Sequence, residues 1–98
     1  MAQYMVEVIL PDFFDEHFVS LIPEQRAYVD TLMMEGVITG YSLQMDRTKL
    51  WVTFNAKSEA MVRKLVRSFP IIDYIDFSVT ELAFHNQASF IVPSLSLN

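Results

Sequence analysis

The chain has 98 residues, a formal charge of −5, no cysteine and 52% hydrophobic residues. That length holds one core, so residues 1–98 are read as one domain. The acidic balance repels phosphate backbones and argues against nucleic acid as a partner, and the missing thiols exclude disulfides, cysteine nucleophiles and thiolate metal sites.

So large an apolar share is hard to hide on a small monomer, which predicts a homodimer or a higher homo-oligomer. The start MAQYMVEVIL lacks a basic leader and a small-residue cleavage site, and no apolar run is long enough to span a bilayer. A cytoplasmic protein without membrane partners is expected.

Residues 3–10, QYMVEVIL, read as a first strand stopped by Pro11, with Met5, Glu7 and Ile9 on one face. Residues 12–20 are open between a loop and a short irregular helix. Pro23 suits the first turn of a proper helix, with Glu24 at its positive end. Tyr28, Val29, Leu32 and Met33 make its buried stripe, and Gly36 stops it.

The run VITGYSLQM alternates Val37, Thr39, Tyr41, Leu43 and Met45 against Ile38, Gly40, Ser42 and Gln44. After the turn-like Asp46-Arg47-Thr48 comes LWVTFNA, completing a hairpin. Ser58 is an N-cap for a second helix that Pro70 ends. A last strand over 74–83 sets Tyr74, Asp76, Ser78 and Thr80 against Ile75, Phe77 and Val79. The segment 84–98 carries no charge apart from His85 and reads as a C-terminal arm laid on a neighbouring subunit, or as a frayed terminus.

This order is β-α-β-β-α-β, an α+β ferredoxin-like fold with two helices on one face of a four-stranded antiparallel sheet. The other face carries Trp51 and Met5 and needs a cover, for which a second copy of the sheet serves. Two facing sheets would enclose a cavity lined by Glu7, Trp51, Tyr74, Asp76 and Ser78. Glu7 and Asp76 are then acid–base candidates in an apolar chamber; the alternatives are a rim or ion-paired carboxylate for Glu7 and a backbone-bonded one for Asp76. Trp51 and Tyr74 are ligand contacts or interface packing.

Six of the seven basic residues cluster at the hairpin turn and around the second helix, and Arg26 stands alone on the first. It is therefore the natural anchor for a small anionic molecule, or else a partner in a salt bridge. Two distant histidines make no metal motif, and no phosphate loop, dinucleotide glycine pattern or nucleophile elbow occurs, so no metal or cofactor is expected.

Leu10-Pro11, Glu35-Gly36, Phe69-Pro70 and the run P-x3-Y-x-D-x2-V-x2-L-x2-H from Pro70 to His85 together resemble the muconolactone isomerase family of dimeric α+β-barrel proteins. The resemblance covers nearly the whole chain. It implies a cofactor-free proton shift on a lactone bearing a carboxylate, which needs a base, a donor to the enolate-like oxygen and a cation.

Aligned on Glu35-Gly36, the family's charged run falls on Gln25, Arg26 and Ala27. The cation is kept as Arg26, while the base position holds an amide. Glu24 is adjacent but about 100° away around a helix. Ser42-Leu43 stands where the family has Trp-Arg, and His85 falls on a family position, as a proton carrier or a backbone-bonded strand end. The resemblance thus implies a protein that binds a small anionic, cyclic molecule between subunits, as a lactone double-bond isomerase with Arg26 as anchor and Glu24, Glu7 or Asp76 as acid–base group. The alternatives are a non-catalytic homo-oligomeric binding or structural module and, by fold analogy, a cofactor-independent monooxygenase.

Overall fold

Asp15 decides where the first helix begins. In the computed structural model, which describes residues 1–86, its side chain accepts the Phe18 N–H at 2.8 Å and satisfies a donor that the first turn would leave orphaned. Helix α1 therefore runs Glu16–Met34 and takes in residues left open by the sequence. Pro23, expected in the first turn, lies inside the helix. Pro23 and Val19, whose carbonyl its missing N–H would have served, are both exposed, so water can complete that bond. The helix ends as expected at Gly36: at φ 76° it lets its own N–H reach the Met33 carbonyl and the Val37 N–H reach the Leu32 carbonyl.

Strand β1 (Ala2–Ile9) lies between β3 (Lys49–Ala56) and β4 (Asp76–Leu82), and β2 (Ile38–Leu43) flanks β3, giving the antiparallel order β2-β3-β1-β4. Helix α2 (Glu59–Arg67) is capped by Ser58, whose Oγ accepts the Met61 N–H at 3.2 Å. The order is the ferredoxin-like α+β one that the hydrophobic pattern predicts. Tyr4, Val6 and Val8 of β1 stand beside Phe54, Val52 and Leu50 of β3 and meet Val62 and Val66 of α2 in one core. The opposite face carries Met5, Glu7 and Ile9 beside Thr53, Trp51 and Lys49.

Two details break the simple alternation. In β2 a bulge sets Thr39 and Gly40 together opposite Thr53. A Cβ on Gly40 would stand 2.7 Å from Thr53 Oγ1, so the Thr53 side chain keeps this place only because glycine is there. The bulge shifts the parity, so that Thr39 turns to the open face while Ile38, Tyr41 and Leu43 turn to the helices.

The second break precedes β4, where Ile72–Tyr74 forms a turn of 3-10 helix and the strand starts only at Asp76. Tyr74 therefore does not share the face of Asp76 and Ser78. Its ring packs edge-on against Phe18 at 5.3 Å between centroids, and its hydroxyl meets His17 Nδ1. No helix among the described residues is long and apolar enough to cross a membrane. The arm expected over 84–98 lies, from residue 87 onward, outside the described residues.

Candidate functional site

Phe18, Ile22, Gln25 and Arg26 recur at helical spacing along one side of α1. With Leu10, Phe14, Tyr41, Leu43, Leu50 and Ile71 they line a cavity of about 150 Å³ between α1 and the helix-side face of the sheet. Its walls are apolar, and its polar groups are gathered at one end. Gln25 is 3% exposed; its Nε2 donates to the Tyr41 hydroxyl at 3.4 Å and its Oε1 accepts the Ile71 N–H at 3.5 Å. Both bonds are long, so the amide is held but not saturated.

Burial pushes the Tyr41 phenol above its ordinary pKa, while the Gln25 amide and the Arg26 charge pull the other way. The phenol is neutral at physiological pH and acts as a hydrogen-bond donor rather than a base. Arg26 stands at the mouth. It also lines an adjoining cleft of about 300 Å³ with Asp30, Met33 and Tyr41, one helical turn further along α1. Among the described residues Arg26 has no carboxylate within ion-pair distance.

The residues singled out from the sequence divide between the two faces of the sheet. Arg26 is at the cavity, whereas Glu24 is exposed and absent from its lining. Glu7, Trp51 and Ser78 lie abreast on the open face, and Asp76 pairs with Ile9 at its end. Glu7 is ion-paired with Lys49 at 2.9 Å. Lys49 also lies 5.6 Å from the Trp51 ring, whose Nε1 donates to Gln44 Oε1 at 3.2 Å. His85 joins Met5, Ser42, Trp51 and Thr53 around an open-face hollow of about 380 Å³.

Within one chain, then, Glu7 and Asp76 do not share a chamber with Arg26, because the sheet stands between them. Tyr74 reaches neither group of residues: it belongs to the packing beneath α1. Among the described residues no three His, Asp or Glu side chains converge as metal ligands. Tyr41 and Asp30 were not anticipated as site residues. The signal for Tyr41 was present in the Thr39-Gly40 pair, where a glycine inside a strand marks a bulge and hence a change of parity.

Residues 3–88 match the muconolactone delta-isomerase family. Among solved structures, a crystal structure of muconolactone isomerase at 3.3 Å resolution is similar to this chain with a TM-score of 0.71 and 18% sequence identity, covering 88% of this chain and 93% of that one. At that identity the likeness speaks for the fold. No curated protein matches the chain.

Proposed function

The chain belongs to the muconolactone delta-isomerase family, and we propose that it binds a small, largely apolar, monoanionic cyclic acid in the cavity between α1 and the sheet. One observation carries this reading. The cavity is apolar except where Arg26, Tyr41 and Gln25 meet, and no carboxylate lines it. A guanidinium at the mouth and a neutral phenol beside it suit the carboxylate of such a ligand, and the apolar walls suit its ring.

Gln25 stands at the position where the family resemblance calls for a base, and an amide cannot take the proton. This favours a binding member of the family over a proton-shift enzyme working from this cavity. The exposed Ile9 and the half-exposed Met5 and Trp51 support cover of the open face by a second copy.

A second reading rests on Asp30, which lines the adjoining cleft together with Arg26 and Tyr41. A ligand anchored by Arg26 and reaching into that cleft would meet a carboxylate able to abstract a proton. Calorimetric titration with muconolactone, together with deuterium uptake from solvent into the lactone, separates the two. The binding reading expects a complex that Arg26→Met weakens about tenfold or more, with no deuterium uptake. Uptake abolished by Asp30→Asn would establish the isomerase reading instead. Absence of binding in the parent protein would overturn both.

A further inference from the structure

Resting on the binding reading above, we propose that Gln25 is a positioning residue that makes the polar end of the cavity donor-rich, so that the site selects a carboxylate over an uncharged carboxamide of the same shape. The argument begins at Ile71. Its backbone N–H is fixed by the chain and buried, and among the described residues its partner is Gln25 Oε1, at 3.5 Å. Turning the amide over would set N–H against N–H and leave a buried donor unpaired, the expensive arrangement.

The Ile71 N–H therefore fixes the amide, and Nε2 is the atom that faces Tyr41, at 3.4 Å. The Tyr41 oxygen is then the acceptor of that bond. Its own hydrogen lies in the ring plane and cannot point at the N–H that faces it, so it points away from Gln25, toward the cavity that Tyr41 shares with Arg26.

The polar end consequently offers the Tyr41 O–H and the Arg26 N–H groups, while Gln25 Oε1 is engaged by Ile71. Donors outnumber acceptors among these groups, the acceptor capacity left being the second lone pair of Gln25 Oε1. A carboxylate only accepts and satisfies every donor it meets. A carboxamide accepts through one oxygen only and sets its N–H groups among N–H and O–H groups, so it binds less well. Gln25 need not touch the ligand. It acts through the direction in which Tyr41 donates.

The test compares binding of 2-furoate and 2-furamide, both small flat rings, at pH 7 by calorimetry. The parent is expected to prefer furoate by about ten- to a hundredfold. In Tyr41→Phe the furoate affinity falls about tenfold with furamide within about threefold. In Gln25→Met, which adds no charge to the cavity, nothing fixes the direction of the Tyr41 O–H, and the preference for furoate falls about tenfold with furamide within about threefold. A merely structural role would weaken both ligands alike.

If Arg26→Met abolishes the preference while Tyr41→Phe and Gln25→Met leave it unchanged, the binding reading stands and this inference falls. If Arg26→Met leaves furoate binding intact, the binding reading falls. A ligand-free measurement decides the hydrogen-bond direction independently. In protein labelled with ¹³C at tyrosine Cζ, the Tyr41 resonance (the one absent from Tyr41→Phe) should titrate at higher pH in Gln25→Met, because a donor to its oxygen has gone. Titration at lower pH in that variant would mean that Gln25 had been an acceptor, and would overturn the inference even if neither ring binds.

Discussion

Gly40→Ala tests the bulge that brings Tyr41 into the cavity. The added Cβ would stand 2.7 Å from Thr53 Oγ1, well inside the roughly 3.5 Å at which such atoms begin to rest comfortably. Thr53 cannot easily yield. It is 7% exposed, β-branched, and its hydroxyl is held by Thr39 Oγ1 at 2.9 Å. Overpacking of this kind costs about 1–3 kcal/mol, and displacing the hydroxyl loses a hydrogen bond of about 1 kcal/mol. Replacing glycine within a strand returns up to about 1 kcal/mol.

The net expectation is a loss of about 2 kcal/mol, which for a domain of this size lowers Tm by about 10 °C. Urea unfolding at one fixed protein concentration measures it, because self-association would otherwise change the apparent stability. Thr53→Ala removes the obstructing oxygen, so the double variant should be about as stable as Thr53→Ala alone, a coupling of about 2 kcal/mol. Additivity of the two changes within about 0.5 kcal/mol would refute the steric reasoning.

Asp15→Ala removes the cap of α1 and should cost about 1 kcal/mol, with faster amide exchange in the first turn, which carries Phe18 of the cavity wall. The Asp46 carboxyl is held below its ordinary pKa, chiefly by the Thr48 hydroxyl and N–H and also by Gln44 and Lys49. A carboxyl depressed in the fold stabilises it above the unfolded pKa and loses that effect as pH falls through the folded value. Acid unfolding followed by circular dichroism should therefore be steeper in the parent than in Asp46→Asn, below about pH 4. Lys49→Met breaks the Glu7 pair, whose side chains are 35% and 33% exposed. It should cost no more than about 1 kcal/mol and less at high salt, as measured by urea unfolding at two ionic strengths.

The fold was legible because its evidence is periodic and local. Val6, Val8, Val52 and Phe54 recur at every second position of strands rich in β-branched residues, and Ser58 and Gly36 punctuate the helices. Asp15 was equally local, but Pro23 competed with it as a start signal. The cap prevailed because a proline whose lost bond faces solvent is tolerable inside a helix. The site was less legible, since it depends on parity. One bulge at Thr39-Gly40 turns Tyr41 to the helix side, and one turn of 3-10 helix before Asp76 detaches Tyr74 from the strand pattern. Strict alternation, extended through both places, assigned Tyr74 to the open face and missed Tyr41 at the cavity.

The separation of charges across the sheet limits what one chain can do. Arg26 and Tyr41 lie on the helix side, while Glu7 and Asp76 lie on the open side, with the thickness of the sheet between them. A ring small enough for a cavity of about 150 Å³ cannot have its carboxylate at Arg26 and its acidic carbon at Glu7. Among the described residues, the carboxylate that shares a cleft with Arg26 and Tyr41 is Asp30, one turn away on the same helix, which makes it the candidate for a proton shift within the protomer. Glu24 is a poorer substitute although it is nearer in sequence, because it is exposed and lines neither the cavity nor the adjoining cleft. For this reason the deciding variant is Asp30→Asn rather than Glu24→Gln. Glu24→Gln should leave ligand binding and any deuterium uptake within about twofold of the parent, as expected for an exposed side chain remote from the ligand. A large loss of uptake in Glu24→Gln would mean that α1 begins with a different rotation when ligand is bound.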